Sequence, residues 1–359
     1  MKLKISLAMI VRNEEKNIVR CLNSVKDLVD EIVVVDTGSI DSTLQLLNDF
    51  EGVKVYKFTW CDDFSVARNF SLEQTQGDYI LVLDADEYVN NGTRKELETI
   101  SSQGLIGKIQ VNSMFEQNNI VQESKAYVSR FFPREVRYTG AIHEQLNSSL
   151  KRIPMKLTVK HNGYLNTDKS TRNIPLIINL LKQKPNDSYY LYQLGKELRI
   201  KKQYEEAFKF LIRSYELSNC IEPYYEELIV EIIYSGKECG KEEVLDIIEQ
   251  NEGILLNNTD FHFAKGLLYL EYCISFPKLA GKYIKVIEDS FLTCLKLGKK
   301  MHTEYVIGTG SYLASYNLGV YYEVTGQLEK AVKYYEMSSQ FGYSLGNLRL
   351  QEIIELNQN

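Results

Sequence analysis

The sequence is poor in the features that mark a secreted scaffold, a zinc protein or a membrane span. Its six cysteines, Cys21, Cys61, Cys220, Cys239, Cys273 and Cys294, include no C-x-x-C pair. They read as reduced thiols rather than a disulfide framework or a thiolate zinc site. No apolar run approaches the roughly 20 residues needed to cross a bilayer. The opening MKLKISLAMIVRNEE holds one short apolar run that gives way to Arg12, Asn13, Glu14 and Glu15, so it reads as a first strand and not a signal peptide. Basic charge is not in excess: the formal net charge is −6, which argues against a nucleic-acid-binding surface. Histidine and tryptophan are scarce, at four and one. These absences lead to the expectation of a soluble, cytoplasmic protein that is not an integral membrane protein. At 359 residues, two domains are expected.

What is present falls into two rhythms. Up to about Asn166, short apolar runs alternate with amphipathic segments: KISLAMIV, EIVVVD, VKVYKF and YILVLD as strands, with EKNIVRCLNSVKDL, DSTLQLLNDF and FSVARNFSLEQTQ as helices. This alternation predicts βαβ units and a mostly parallel sheet with flanking helices. After Glu87 the stretches GKIQVNSMF, AYVSRFFPR and MKLTVKHNGY read as further strands. From Lys169 the chain reads as helical. Segments 191–218 and 315–342 there share a skeleton, with Gly195 to Ala207 and Gly319 to Ala331 both twelve apart. Small residues at that spacing let antiparallel helices approach, as in tetratricopeptide repeats. About two degenerate units are expected between them, and a plain helical bundle is the alternative. The expected boundaries are 1–168 for the α/β domain, 169–186 for a helical linker and 187–359 for the all-α domain.

The stretch YILVLDADEY runs a buried-strand pattern into Asp84, Asp86 and Glu87. Crowded carboxylates at a strand end are best tolerated when a cation sits among them. A second strand, EIVVVD, also closes on an acid, Asp36. Ligands of parallel sheets bind where loops leave the carboxyl ends of strands, so both acids become candidates for one site.

Together SLAMIVRNEEKNIVRCLNSV, DEIVVVDTGSIDST, WCDDFSVARNFSLEQTQGDYILVLDADEY and IHEQL resemble the family 2 glycosyltransferases of the GT-A fold. They are most similar to the branch with a helical repeat domain behind the catalytic one, which includes bacteriocin S-glycosyltransferases and lipopolysaccharide-core glucosyltransferases. The resemblance spans about residues 3–175, and the helical half more loosely. It implies a nucleotide-sugar donor, usually a UDP-sugar, a divalent metal and transfer with inversion. A metal bridging the diphosphate lowers the cost of its departure, and oxygen ligands suit Mg²⁺ or Mn²⁺.

By that resemblance Asp84-Ala85-Asp86 is the family's D-x-D, with Asp86 on the metal and Asp84 on the ribose or metal. Asp36 would meet the base or ribose, and the backbone from Met9 through Val11 to Asn13 would line the base pocket. Arg68 contacts the uracil or orients acidic neighbours, with Asp62 and Asp63 matching the same segment. Glu144 is the expected base that takes the acceptor's proton, and His143 is its alternative. His161 is a candidate third metal ligand. Lys169 and Arg172 are candidates to clamp the diphosphate. For Ser39, Asp41, Ser42 and Thr43 helix capping is preferred. His262 and His302 read as structural, and Trp60 as core rather than a sugar platform.

The expected function is metal-dependent inverting transfer of a hexose, from UDP-glucose in particular, to a peptide or protein acceptor such as Cys or Ser of a bacteriocin precursor. A surface-glycan or lipopolysaccharide acceptor is the rival. A second rival is a non-catalytic helical-repeat scaffold with a degenerate transferase domain. A nucleotidyltransferase fits less well, because MIVRNEEKN lacks the glycines of a triphosphate loop. Stacked helix pairs leave end faces to cover, so a homodimer is also expected.

Overall fold

A computed structural model describes residues 3–117, 120–161, 169–298 and 306–356. Its contacts divide the chain into two compact units, 1–176 and 177–359. In the first, alternating strands and helices run β1 (Ile5–Val11), α1 (Ile18–Val25), β2 (Glu31–Asp36), α2 (Thr43–Asp49), β3 (Val53–Lys57), α3 (Phe64–Glu73) and β4 (Tyr79–Val82). The chain continues through β5 (Glu87–Asn91), α4 (Arg94–Ser102), β6 (Ile106–Gln117), β7 (Ile120–Pro133), β8 (Arg137–Thr139), β9 (Gln145–Asn147) and β10 (Arg152–His161).

Eight strands form one sheet in the order β3-β2-β1-β4-β7-β6-β10-β5, and β8 pairs with β9 apart from it. The expectation of a mostly parallel sheet holds for β3-β2-β1-β4; β7 enters antiparallel to both β4 and β6, so the sheet is mixed. Strands β1, β2 and β4 are buried on both faces, which is why they read as continuous apolar runs, whereas the edge strand β3 is half-exposed. Side chains alternate along them. Ile5, Leu7, Met9 and Val11 of β1 join Ile18, Cys21, Leu22 and Val25 of α1 in one core. Ala8, Ile80 and Val82 face the opposite way onto Leu72 of α3.

Helix α5 (Ser170–Gln183) contains the division between the units. Beyond it come α6 (Ser188–Ile200), α7 (Tyr204–Leu217), α8 (Tyr225–Glu238), α9 (Val244–Asn251), α10 (Thr259–Ser275), α11 (Ala280–Leu297), α12 (Tyr312–Val324), α13 (Leu328–Ser339) and α14 (Ser344–Leu356). They pair as α6 with α7, α8 with α9, α10 with α11 and α12 with α13, so two pairs stand between the two repeats read in the sequence. The glycine spacing has a direct cause. A Cβ on Gly195 would stand 2.5 Å from Leu211 Cγ and 3.1 Å from the Ala207 carbonyl oxygen, and one on Gly319 would strike the Tyr335 ring at 2.6 Å. No described helix is long and apolar enough to cross a membrane.

Candidate active site

The parallel register sets the site. Ala8 of β1 is level with Val33 of β2 on one side and Val82 of β4 on the other. Asp36 and Asp84 therefore leave the same carboxyl edge, on either side of β1. With strands spaced about 4.8 Å, their backbones are roughly 10 Å apart.

Asp36 is buried and its carboxylate accepts from the Gly38 and Ser39 amides. The loop beyond is tied to the one after β1. Asn13, held in the left-handed region at φ 56°, donates its amide to Ser39 Oγ and accepts from the Ile40 amide. Asp41 takes the amides of Thr43 and Glu15, and Thr43 Oγ1 accepts from the Glu14 amide. The helix-capping role thus falls to Asp41; Ser42 makes no side-chain cap. The Met9 and Val11 side chains both lie in the core, and the Val11 carbonyl is taken by Thr37.

Asp84 lies between two arginines. Arg68 Nη2 reaches one of its oxygens at 2.8 Å and Arg130 Nη2 the other at 2.7 Å. Arg68 Nε also holds the Glu144 carboxylate, and Arg130 lies 3.7 Å from Glu87. Helix α3 brings these groups together, because Asn69 exchanges two hydrogen bonds with the Tyr138 backbone and the Phe64 amide donates to Ala141. Burial pushes the Asp84 carboxyl up, but Arg130 and then Arg68 outweigh it and hold it well below its ordinary range. Glu87 is pushed up by burial and by Asp84, against Arg130. Burial also lifts the Tyr138 hydroxyl to about 12. Arg68 Nη1, Arg130 Nε and Tyr138 OH are buried donors with no protein acceptor among the described residues.

Asp86 belongs to a second cluster. Its Oδ2 is 2.9 Å from His161 Nε2 and 3.1 Å from Lys169 Nζ. Burial raises its carboxyl, but the His161 hydrogen bond and Lys169 bring it below its ordinary value. His161 closes β10 beside Glu87 of β5 and Ser113 of β6, and Ser113 Oγ lies 3.2 Å from its Nδ1. That contact orients the ring and leaves Nε2 toward Asp86. Glu14 borders the same cluster; burial raises its carboxyl, reinforced by Asp86 and Asp84.

These residues fit a divalent ion at Asp86 and His161. Two ligand atoms at about 2.1 Å from an octahedral ion, at right angles, are roughly 3 Å apart. The 2.9 Å between Asp86 Oδ2 and His161 Nε2 is a hydrogen-bond distance, and an ion held by both atoms could span it. The carboxyl groups of Glu14, Asp84, Asp86, Glu87 and Glu144 gather here among Arg68, Arg130 and Lys169. Among the described residues no group of three or more His, Cys, Asp or Glu side chains is placed to hold a metal ion by itself. Asp84, expected to share the metal, has both oxygens engaged by arginines.

The remaining expected residues separate. Ala85 points into the core. Arg172 stacks over Phe64 at 4.8 Å and donates to Asn173, while Lys169 reaches Asp86. His143 takes the left-handed conformation at φ 51°, immediately before Glu144. Trp60 is not core: it is half-buried, donates to Asp62 and meets Phe64 edge-on. Asp63 caps α3 through the Val66 amide. His262 is buried and within reach of the Leu256 carbonyl, a structural setting; His302 lies outside the described residues. Arg130 was not foreseen. Its signal was a charge inside the apolar strand stretch AYVSRFFPR.

Comparison with known proteins places glycosyltransferases beside this arrangement. Residues 6–133 match the family model described as Glycosyl transferase family 2, so this segment is a family 2 glycosyltransferase domain. The SPbeta prophage-derived glycosyltransferase SunS of Bacillus subtilis (strain 168) is 31% identical over 231 residues, covering 58% of this chain and 53% of that protein. A TPR repeat-containing protein of Synechococcus elongatus is 38% identical over 149 residues, covering 41% of this chain and 36% of that one. The chain thus spans about half the length, or less, of these curated relatives. Among solved structures, S. aureus TarS shares 14% identity at a TM-score of 0.36, covering 67% of this chain and 53% of that chain. The second unit, with its paired helices, is tetratricopeptide-like.

Proposed function

We propose that the protein is a glycosyltransferase that moves a hexose from a UDP-sugar, UDP-glucose in the first instance, to a peptide or protein acceptor, with inversion and with Mg²⁺ or Mn²⁺ as cofactor. The observation that carries this reading is the Asp86–His161 pair, 2.9 Å apart at the mouth of β4 in a family 2 domain. A metal bound there supplies Lewis-acid neutralisation of the leaving diphosphate. Asp86 and His161 would hold it, and Lys169 is within reach of the same charge. Arg68 and Arg130 keep Asp84 fixed, and their spare buried donors suit an anionic ligand.

Glu144 is the base in this reading. Arg68 bridges it to Asp84, so acceptor base and donor site share one rigid support. A base on the face opposite the leaving group takes the proton as the acceptor attacks. A cysteine acceptor would need it less, since a free thiol titrates near ~8.5. The stack of helix pairs supports a peptide acceptor, for which such units present extended surfaces.

Incubation of the chain with UDP-glucose, Mn²⁺ and Cys- or Ser-containing peptides, followed by intact-mass measurement, tests the proposal. A mass gain of one hexose is expected, abolished by Asp86→Asn and cut by Glu144→Gln by about 10²-fold or more, the scale of general-base catalysis. Transfer that survives Asp86→Asn would overturn the mechanism. Transfer to a glycan but to no peptide would assign the rival acceptor.

A further inference from the structure

Lys169 stands at the wrong end of a helix. It immediately precedes α5, and its carbonyl accepts the amides of Arg172 and Asn173 in the first turn. A cation there faces the positive end of the helix dipole, where an acid or a capping oxygen is favoured. Something must compensate, and the compensation is on the far side. Lys169 Nζ lies 3.1 Å from Asp86 Oδ2 and 3.5 Å from His161 Nε2, the two atoms that fit a divalent ion.

We propose that Lys169 is the built-in counter-cation of the Asp86–His161 pair, that a divalent ion must displace it, and that the displaced ammonium then serves the donor's diphosphate. This rests on the metal-dependent reading above. An ion about 2.1 Å from Asp86 Oδ2 could be no more than about 5 Å from an ammonium held 3.1 Å from the same oxygen. Two cations at that range repel and compete for one carboxylate. The Lys169 side chain is the most exposed of the three, at 28% against 10% for Asp86 and 8% for His161. Its backbone stays anchored by α5 while the long stem turns. A nucleotide diphosphate arriving with the metal would offer the released ammonium a new partner.

The test is Mn²⁺ binding to the full chain without nucleotide, followed by electron paramagnetic resonance, in wild type, Lys169→Met and Lys169→Arg. Lys169→Met is expected to bind Mn²⁺ about fivefold more tightly or better, the scale of a partly exposed ion pair; Lys169→Arg should stay near wild type. At saturating Mn²⁺, UDP should bind Lys169→Met more weakly than wild type. Equal or weaker Mn²⁺ binding by Lys169→Met, or the same gain in Lys169→Arg, overturns displacement while leaving the metal site standing. Unchanged UDP affinity removes the second role. Mn²⁺ bound by none of the three would overturn the metal reading itself, and this inference with it.

Discussion

Removing the Asp84 carboxylate would leave Arg68 and Arg130 facing each other with little water near them. Their side chains are 8% and 12% exposed. Deleting one partner of a fully buried pair costs about 3–5 kcal/mol; Asp84 is 33% exposed, and Arg68 keeps Glu144 while Arg130 keeps Glu87, so about 1–2 kcal/mol is expected. Asp84→Ala is therefore expected to lower the unfolding free energy of the first unit by about that much, read as a fall in its denaturant midpoint. Trp60 is the protein's one tryptophan and belongs to this unit, so its fluorescence reports the transition. Mn²⁺ affinity should survive Asp84→Ala far better than Asp86→Asn. An unshifted midpoint would show that Asp84 does not hold the arginines together. The sequence could place three acids at one strand end, since apolar run and carboxylates adjoin. It could not divide their labour. Asp84 is paired by residues 16 and 46 positions away, and only tertiary packing sets that.

Elements were most legible where a run is buried on both faces. Strands β1, β2 and β4 stand close to where their apolar runs place them, because no polar face interrupts the pattern. Strand β5 and helix α4 were missed for opposite reasons. EYVNN is polar on its exposed side and too short to show a period. RKELETISS, by contrast, carries a readable start: Thr93 caps the Glu96 amide three residues on. In the second unit the glycines were the legible feature, and they yield a contrast between two positions. Gly195→Val forces branched atoms against Leu211 and the Ala207 carbonyl, which cannot rotate away. Overpacking of this kind costs about 1–3 kcal/mol. Gly281, in the first turn of α11, has nothing within 4 Å of an added Cβ, so Gly281→Ala should leave stability unchanged or slightly raised. Thermal unfolding by far-ultraviolet circular dichroism should move down for the first variant and not for the second. Equal shifts would remove the close-approach explanation of the repeat spacing.

At the scale of the whole molecule, two architectures share one chain: a mixed α/β sheet that gathers charge at its carboxyl edge, and a stack of helix pairs built around aromatic contacts such as Tyr192 on Tyr224 and Tyr322 on Tyr334. The division of labour proposed for them assigns donor chemistry to the first and acceptor recognition to the second. If Asp86 and His161 receive a divalent ion together with a nucleoside diphosphate, UDP binding must depend on both the ion and Asp86. Calorimetric titration of UDP into the full chain, with and without Mn²⁺, in wild type and Asp86→Asn, reads this directly. The expected result is clear binding by wild type with Mn²⁺, little without it, and none by Asp86→Asn under either condition. UDP that binds equally well without the ion, or to Asp86→Asn as to wild type, would contradict the account.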